Sequence, residues 1–208
     1  MFFDEDERLQ LCDLLDEIGP DAATLLDPWT TRDIAAHLVL REHDPFAAPG
    51  LVIPGAWARF AERQRAELKT KPYSELVSTI RSRPPLYFRL GWVRRFPNLN
   101  EYFVHHEDVR RANGFGPRRS PEGEAAALFR NVRHAGWFLA RRLRGVGLEL
   151  AWNGTGNVVR ARRGRPTARV RGLPGELLLF LFGRSAAEVE VTGPAAAVDA
   201  IQRTRFGM

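Results

Sequence analysis

The sequence predicts a mainly α chain with an α+β tail, a helical bundle over residues 1–145 followed by a small α/β domain over 146–208. Apolar residues recur at helical spacing through the first two thirds, with proline or glycine wherever a helix should stop. After Gly145 the pattern changes to short β-prone runs broken by glycine. The 208 residues, 44% of them hydrophobic, suffice to bury a core in one large domain or two small ones.

The first helix is expected over 4–18, with Leu9, Leu11, Leu14, Leu15 and Ile18 inward and Gly19-Pro20 as its stop. A second starts at the capping threonines after Trp29 and ends near Asp44, ahead of Pro45. A loop rich in Pro, Ala and Gly follows over 45–54, then a helix over 56–68 and a short one over 73–82, closed by Pro84-Pro85. A long helix over 98–112 ends at Asn113-Gly114, and the last of the bundle runs over 121–144. Beyond it, strands are expected over 148–152 and 158–161, joined as a hairpin by Asn153-Gly154-Thr155-Gly156, with a third over 167–170. An apolar helix over 176–182, entered at Pro174, a strand over 188–191 and a helix over 195–203 complete the chain.

The formal net charge is +6, but one segment holds it. Arg160, Arg162, Arg163, Arg165, Arg169 and Arg171 stand with no acid among them, and without these six the remaining basic residues equal the 25 acids. A solvated strand face, an anion site and a nucleic-acid surface all suit such a run. Nucleic acid is the least supported, because aromatics that would stack on bases are not interleaved with the arginines. We expect the segment to help recognise an anionic ligand bound near the bundle. The start MFFDEDERLQ puts acids where a secretion signal needs positive charge, and no apolar run approaches the ~20 residues that span a bilayer. A cytoplasmic protein without a membrane partner is expected. The lone cysteine, Cys12, excludes a disulfide framework and reads as a buried, inert thiol.

The residues that could carry chemistry lie in NEYFVHHED. On a helix Glu101 and His105 stand about 40° apart in azimuth, one turn above the other, so both can reach one ion. With Asp108 and Ala112 they form a polar stripe beside the apolar one of Leu99, Tyr102, Phe103, His106 and Val109. Such a pair also suits an ordinary surface helix. His37, between Ile34, Leu38 and Leu40 on the inward half of its helix, needs a partner. Either backbone or a metal could supply it.

Three blocks, WTTRDIAAHLVLRE at 29–42, EYFVHHEDVRRA at 101–112 and GELLLFLFGR at 175–184, resemble the mycothiol-dependent maleylpyruvate isomerase family of actinobacteria, whose N-terminal domain is DinB-like. The chain is most similar to the subgroup described only as metal-binding proteins. The resemblance implies a four-helix bundle with a zinc-binding histidine on the second helix and a Glu-x-x-x-His pair on a later one. Here these are His37, Glu101 and His105. Two imidazoles and one carboxylate leave tetrahedral zinc an open position, as catalytic sites do. The resemblance implies mycothiol as the thiol that occupies it, and an isomerase or S-transferase acting on an anionic electrophilic substrate. It also makes Arg184, ending the apolar helix, a catalytic nominee; the same arginine could simply solvate a helix terminus. A metal-binding protein without catalysis would use the same ligands. Asp108 is placed to orient His105, His106 reads as a core histidine, His43 and His134 as ordinary helix residues, and Trp29 as packing ahead of the second helix.

Overall fold

The computed structural model describes residues 2–51, 53 and 55–207. By packing, the chain divides into Met1–Gly116 and Pro117–Met208.

In the first unit α1 (Asp4–Ile18) opens on Asp4, Glu5, Asp6 and Glu7, acids that suit the positive end of a helix. It ends where Gly19, at φ 85°, returns its N–H to the Leu15 carbonyl. α2 (Thr31–His43) is started by Asp33, whose Oδ2 accepts the Thr30 N–H at 3.1 Å. α3 (Ala56–Leu68), α4 (Tyr73–Arg81), a single turn α5 (Gly91–Val93) and α6 (Leu99–Ala112) follow. α1 lies between α6 and α4, α4 between α1 and α2, and α3 flanks α2. Helices α1, α2, α4 and α6 thus form the four-helix bundle. Leu11 and Leu15, Ile34 and Leu38, Leu76 and Ile80, and Tyr102 and Val109 meet in its core. Leu9 does not join them and is exposed. It sits two positions before Leu11, about 200° round the helix from that inward stripe.

Part of the expected 45–54 loop and one further segment are ordered into short turns. Ala48–Leu51 is a 3-10 turn, as is Leu86–Arg89. Arg94–Asn98 forms a π-helical turn containing Pro97, which leads directly into α6. Cys12 is fully buried, and desolvation pushes its thiol up to about 12. We therefore expect a disulfide reagent such as Ellman's to leave the native protein unlabelled and to titrate one thiol after denaturant is added. Rapid labelling of the folded chain would show that this core opens.

In the second unit α7 (Glu122–Leu139) packs against α8 (Pro174–Leu181) and a four-stranded sheet. The strands β1 (Gly147–Trp152), β2 (Val158–Arg162), β3 (Thr167–Gly172) and β4 (Glu190–Thr192) lie in the order β2-β1-β3-β4. β1 pairs antiparallel with β2 and parallel with β3, and β3 pairs antiparallel with β4. α9 (Ala195–Arg203) packs on β3. α7 therefore packs with the sheet, and the packing division falls before it. It also stops at Leu139 rather than running to 144: Leu143 folds back, is buried, and donates its N–H to the Ala140 carbonyl.

Candidate metal centre

α2 and α6 face each other through polar side chains. His105 Nε2 lies 3.4 Å from Glu101 Oε2, one turn away on α6. His37 Nε2 approaches the same oxygen from α2 at 3.3 Å. The two imidazole rings meet edge to face with centroids 4.9 Å apart. One ligand-capable atom from each of the three residues lies within 4.8 Å of the other two. The donor set of two imidazoles and a carboxylate is one that zinc favours.

Each donor is held from behind. His105 Nδ1 is 3.0 Å from Asp108 Oδ2, and Asp108 is fully buried. That contact orients the ring so that Nε2 turns toward Glu101. His37 packs beside Trp29, centroids 5.5 Å apart, and the Arg65 guanidinium covers Trp29 at 4.4 Å. Arg65 and Lys69 of the α3 end both pair with Asp33. Burial would raise the Asp33 carboxyl, but Lys69, the Thr30 N–H and Arg65 together hold it down at about 2. The residue that starts α2 therefore also fastens α3 beside it.

Arg41 stands one turn beyond His37. Its Nε is 4.0 Å from Glu101 Oε2, and its Nη2 donates to Asn98 Oδ1 at 3.1 Å. Asn98 closes the π-helical turn and donates its Nδ2 to the Phe88 carbonyl at 3.1 Å. Neither Arg41 nor Asn98 was singled out in the sequence. Arg41 was within reach, since it follows His37 by four residues on one helix face. Asn98 was not, because its role depends on a chain reversal bringing Phe88 alongside.

Burial presses His37, Glu101 and His105 toward neutrality, and the neighbours decide the outcome. Desolvation lowers His37, against the pull of Glu101. Burial would raise Glu101, but hydrogen bonds from His105 and His37 and the charge of Arg41 hold it well below the ordinary carboxylate range. Burial would lower His105, yet Asp108 and Glu101 raise it to about 8.

The other candidates lie elsewhere. His106 is buried with Nδ1 3.0 Å from Glu7 Oε2 on α1, so this core histidine has a carboxylate partner. His43 ends α2 with Nε2 3.8 Å from Glu42, and His134 is exposed on α7. Arg184 lies in the second unit just past α8 and donates its Nη1 to the Phe182 carbonyl at 2.8 Å. In the arginine-rich segment an acid from outside the run intervenes. Glu149 of β1 pairs with Arg160 at 3.4 Å and Arg169 at 2.7 Å. The registers explain it: Glu149 is opposite Arg160 across β1/β2 and opposite Arg169 across β1/β3. Those two arginines thus answer a carboxylate of the sheet itself.

A helical bundle followed by a small helix-backed sheet, with an imidazole and carboxylate cluster between two bundle helices, defines the class of protein. Two solved structures share the fold, those of the mycothiol-dependent maleylpyruvate isomerase and of a histidine-to-alanine variant of it. They superpose with TM-scores of 0.60 and 0.61 at 17% and 16% identity, covering 91% of this chain and 89% of theirs. No family model and no curated protein matches the sequence. Among the described residues, no helix is long and apolar enough to cross a membrane.

Proposed function

We propose that this chain is a divalent-metal protein, with zinc held by His37, Glu101 and His105, and that it works with a low-molecular-weight thiol as an isomerase or S-transferase. One observation carries the reading: three donors from two helices converge within 4.8 Å in a chain that shares the fold of a mycothiol-dependent isomerase. Bound zinc would stabilise a thiolate of mycothiol at neutral pH and so supply a nucleophile for addition to an anionic, electron-poor substrate. The chain's own residues do the rest. His37 would offer a neutral nitrogen and His105 one that gives up its proton to the ion, Glu101 supplies charge, and Asp108 orients His105. Trp29 and the buried apolar side chains of α2 keep bulk water from the back of the seam. The protein contributes no thiol of its own there, because Cys12 is buried in the core between α1 and α4. Arg184 stays a proposed participant of the second unit, and the setting we propose is cytoplasmic.

Elemental analysis after zinc reconstitution should find one metal per chain. X-ray absorption at the zinc edge should then gain a sulfur neighbour when mycothiol is added. A metal-free protein after reconstitution would overturn the metal, and a zinc that never takes sulfur would overturn the thiol.

The metal should also titrate with His105. Its folded value, about 8, lies above its ordinary 6.5, so protonated His105 stabilises the metal-free fold fully below pH 6.5. That contribution is lost as pH rises through about 8. An incoming ion must displace the same proton, so zinc affinity should climb by up to about tenfold per pH unit across this window and level off above it. Calorimetry in buffers of different ionisation heat would report the released proton at pH 7. A flat affinity with no proton release would contradict the assignment.

A further inference from the structure

Arg41 is built into the seam in a way that bundle stability does not explain. Its side chain is only 11% exposed, yet a guanidinium stays charged at any accessible pH. Phe88 lies against it, 4.8 Å from the guanidinium carbon, and Asn98 holds Nη2, so its plane and direction are fixed. Nη1 is buried and has no hydrogen-bond partner among the described residues. A buried donor of that kind is rare in a folded protein unless a ligand, an ion or a water completes it. The nearest counter-charge is Glu101, at 4.0 Å from Nε. That carboxylate is already shared by His37 and His105.

Resting on the metal reading above, we infer that Arg41 is the anion-reading group of this centre and pairs through Nη1 with a carboxylate of the bound small molecule. A divalent ion on His37, Glu101 and His105 commits the Glu101 charge to itself. Asp108 is committed to His105. With Glu101 given to the ion, the Arg41 guanidinium loses the carboxylate that it faces at 4.0 Å, and a carboxylate of the ligand would replace it. A carboxylate suits Nη1, because it is small, singly charged and matched to guanidinium N–H groups. Asn98 and Phe88 hold the guanidinium before the ligand arrives, so little ordering remains to be done on binding. Arg41 would thus select carboxylate-bearing ligands, while His37, Glu101 and His105 hold the ion.

The test loads the full chain with Co2+, whose visible spectrum reports its ligands, and titrates acetate as the probe. Wild type should bind acetate with a spectral change. Arg41→Gln should keep one cobalt per chain and weaken acetate by at least about tenfold, the scale of a lost charge-assisted hydrogen bond. Acetate binding equal to wild type in Arg41→Gln, with cobalt retained, would overturn the inference and leave the metal reading intact. Wild-type protein that takes up neither cobalt nor zinc would overturn the metal reading and this inference with it. Should Arg41→Gln fail to fold, Arg41→Lys decides, since it keeps the charge but loses the planar fork. A loss of about threefold or more in acetate affinity supports the assignment, and wild-type affinity overturns it.

Discussion

Replacing Glu101 with alanine is expected to abolish measurable zinc binding, whereas replacing Asp108 should weaken it by about 10 to 100-fold. The difference follows from position. Glu101 Oε2 lies 3.3 and 3.4 Å from the two imidazole nitrogens and would be lost as a ligand and as the neutralising charge. Asp108 meets His105 at its far nitrogen, 3.0 Å away, so its loss would free the ring to turn without removing a donor. Competition against a chelator of known affinity measures both. If Asp108→Ala abolished binding and Glu101→Ala left it intact, the ligand face of α6 would be the wrong one.

Glu42→Ala should cost the fold about 3 to 5 kcal/mol, the usual result of breaking a buried ion pair from one side. Glu42 is fully buried on α2, accepts from Arg8 Nη2 at 2.7 Å and from the Tyr102 hydroxyl at 2.6 Å, and so ties α1, α2 and α6 together. Its removal strands the buried Arg8 charge. Urea unfolding followed by circular dichroism would measure the loss. Replacing both partners with apolar residues, Arg8→Met with Glu42→Leu, should recover much of it, because the stranded charge is then gone. A loss below about 1 kcal/mol in Glu42→Ala would mean that water reaches Arg8 and replaces its partner.

Most helices were legible because their signals are local. Gly19-Pro20 after Ile18, the threonines Thr30 and Thr31 after Trp29, and Asn113-Gly114 after Ala112 bracket α1, the start of α2 and α6 to within a residue. The π-helical turn at Arg94–Asn98 was not legible, since Pro97 argues against a helix there. The layer that α7 joins was not legible for a related reason. Periodicity shows that residues 122–139 are helical but not which layer they join, and α7 packs on the sheet.

What the sequence determined by itself was the pairing of Glu101 with His105, because a four-residue separation on a helix fixes azimuth and rise. It also placed His37 on the inward half of α2, through the apolar residues around it. Only the tertiary structure decided that α2 and α6 bring these three donors within 4.8 Å, that Asp108 holds His105, and that Arg41 and Asn98 flank the seam. It likewise decided that Glu149 answers Arg160 and Arg169, which a run without acids concealed. The reason is physical. Local geometry sets which residues of one helix or strand share a face, whereas which faces meet depends on how whole elements bury their apolar surface together.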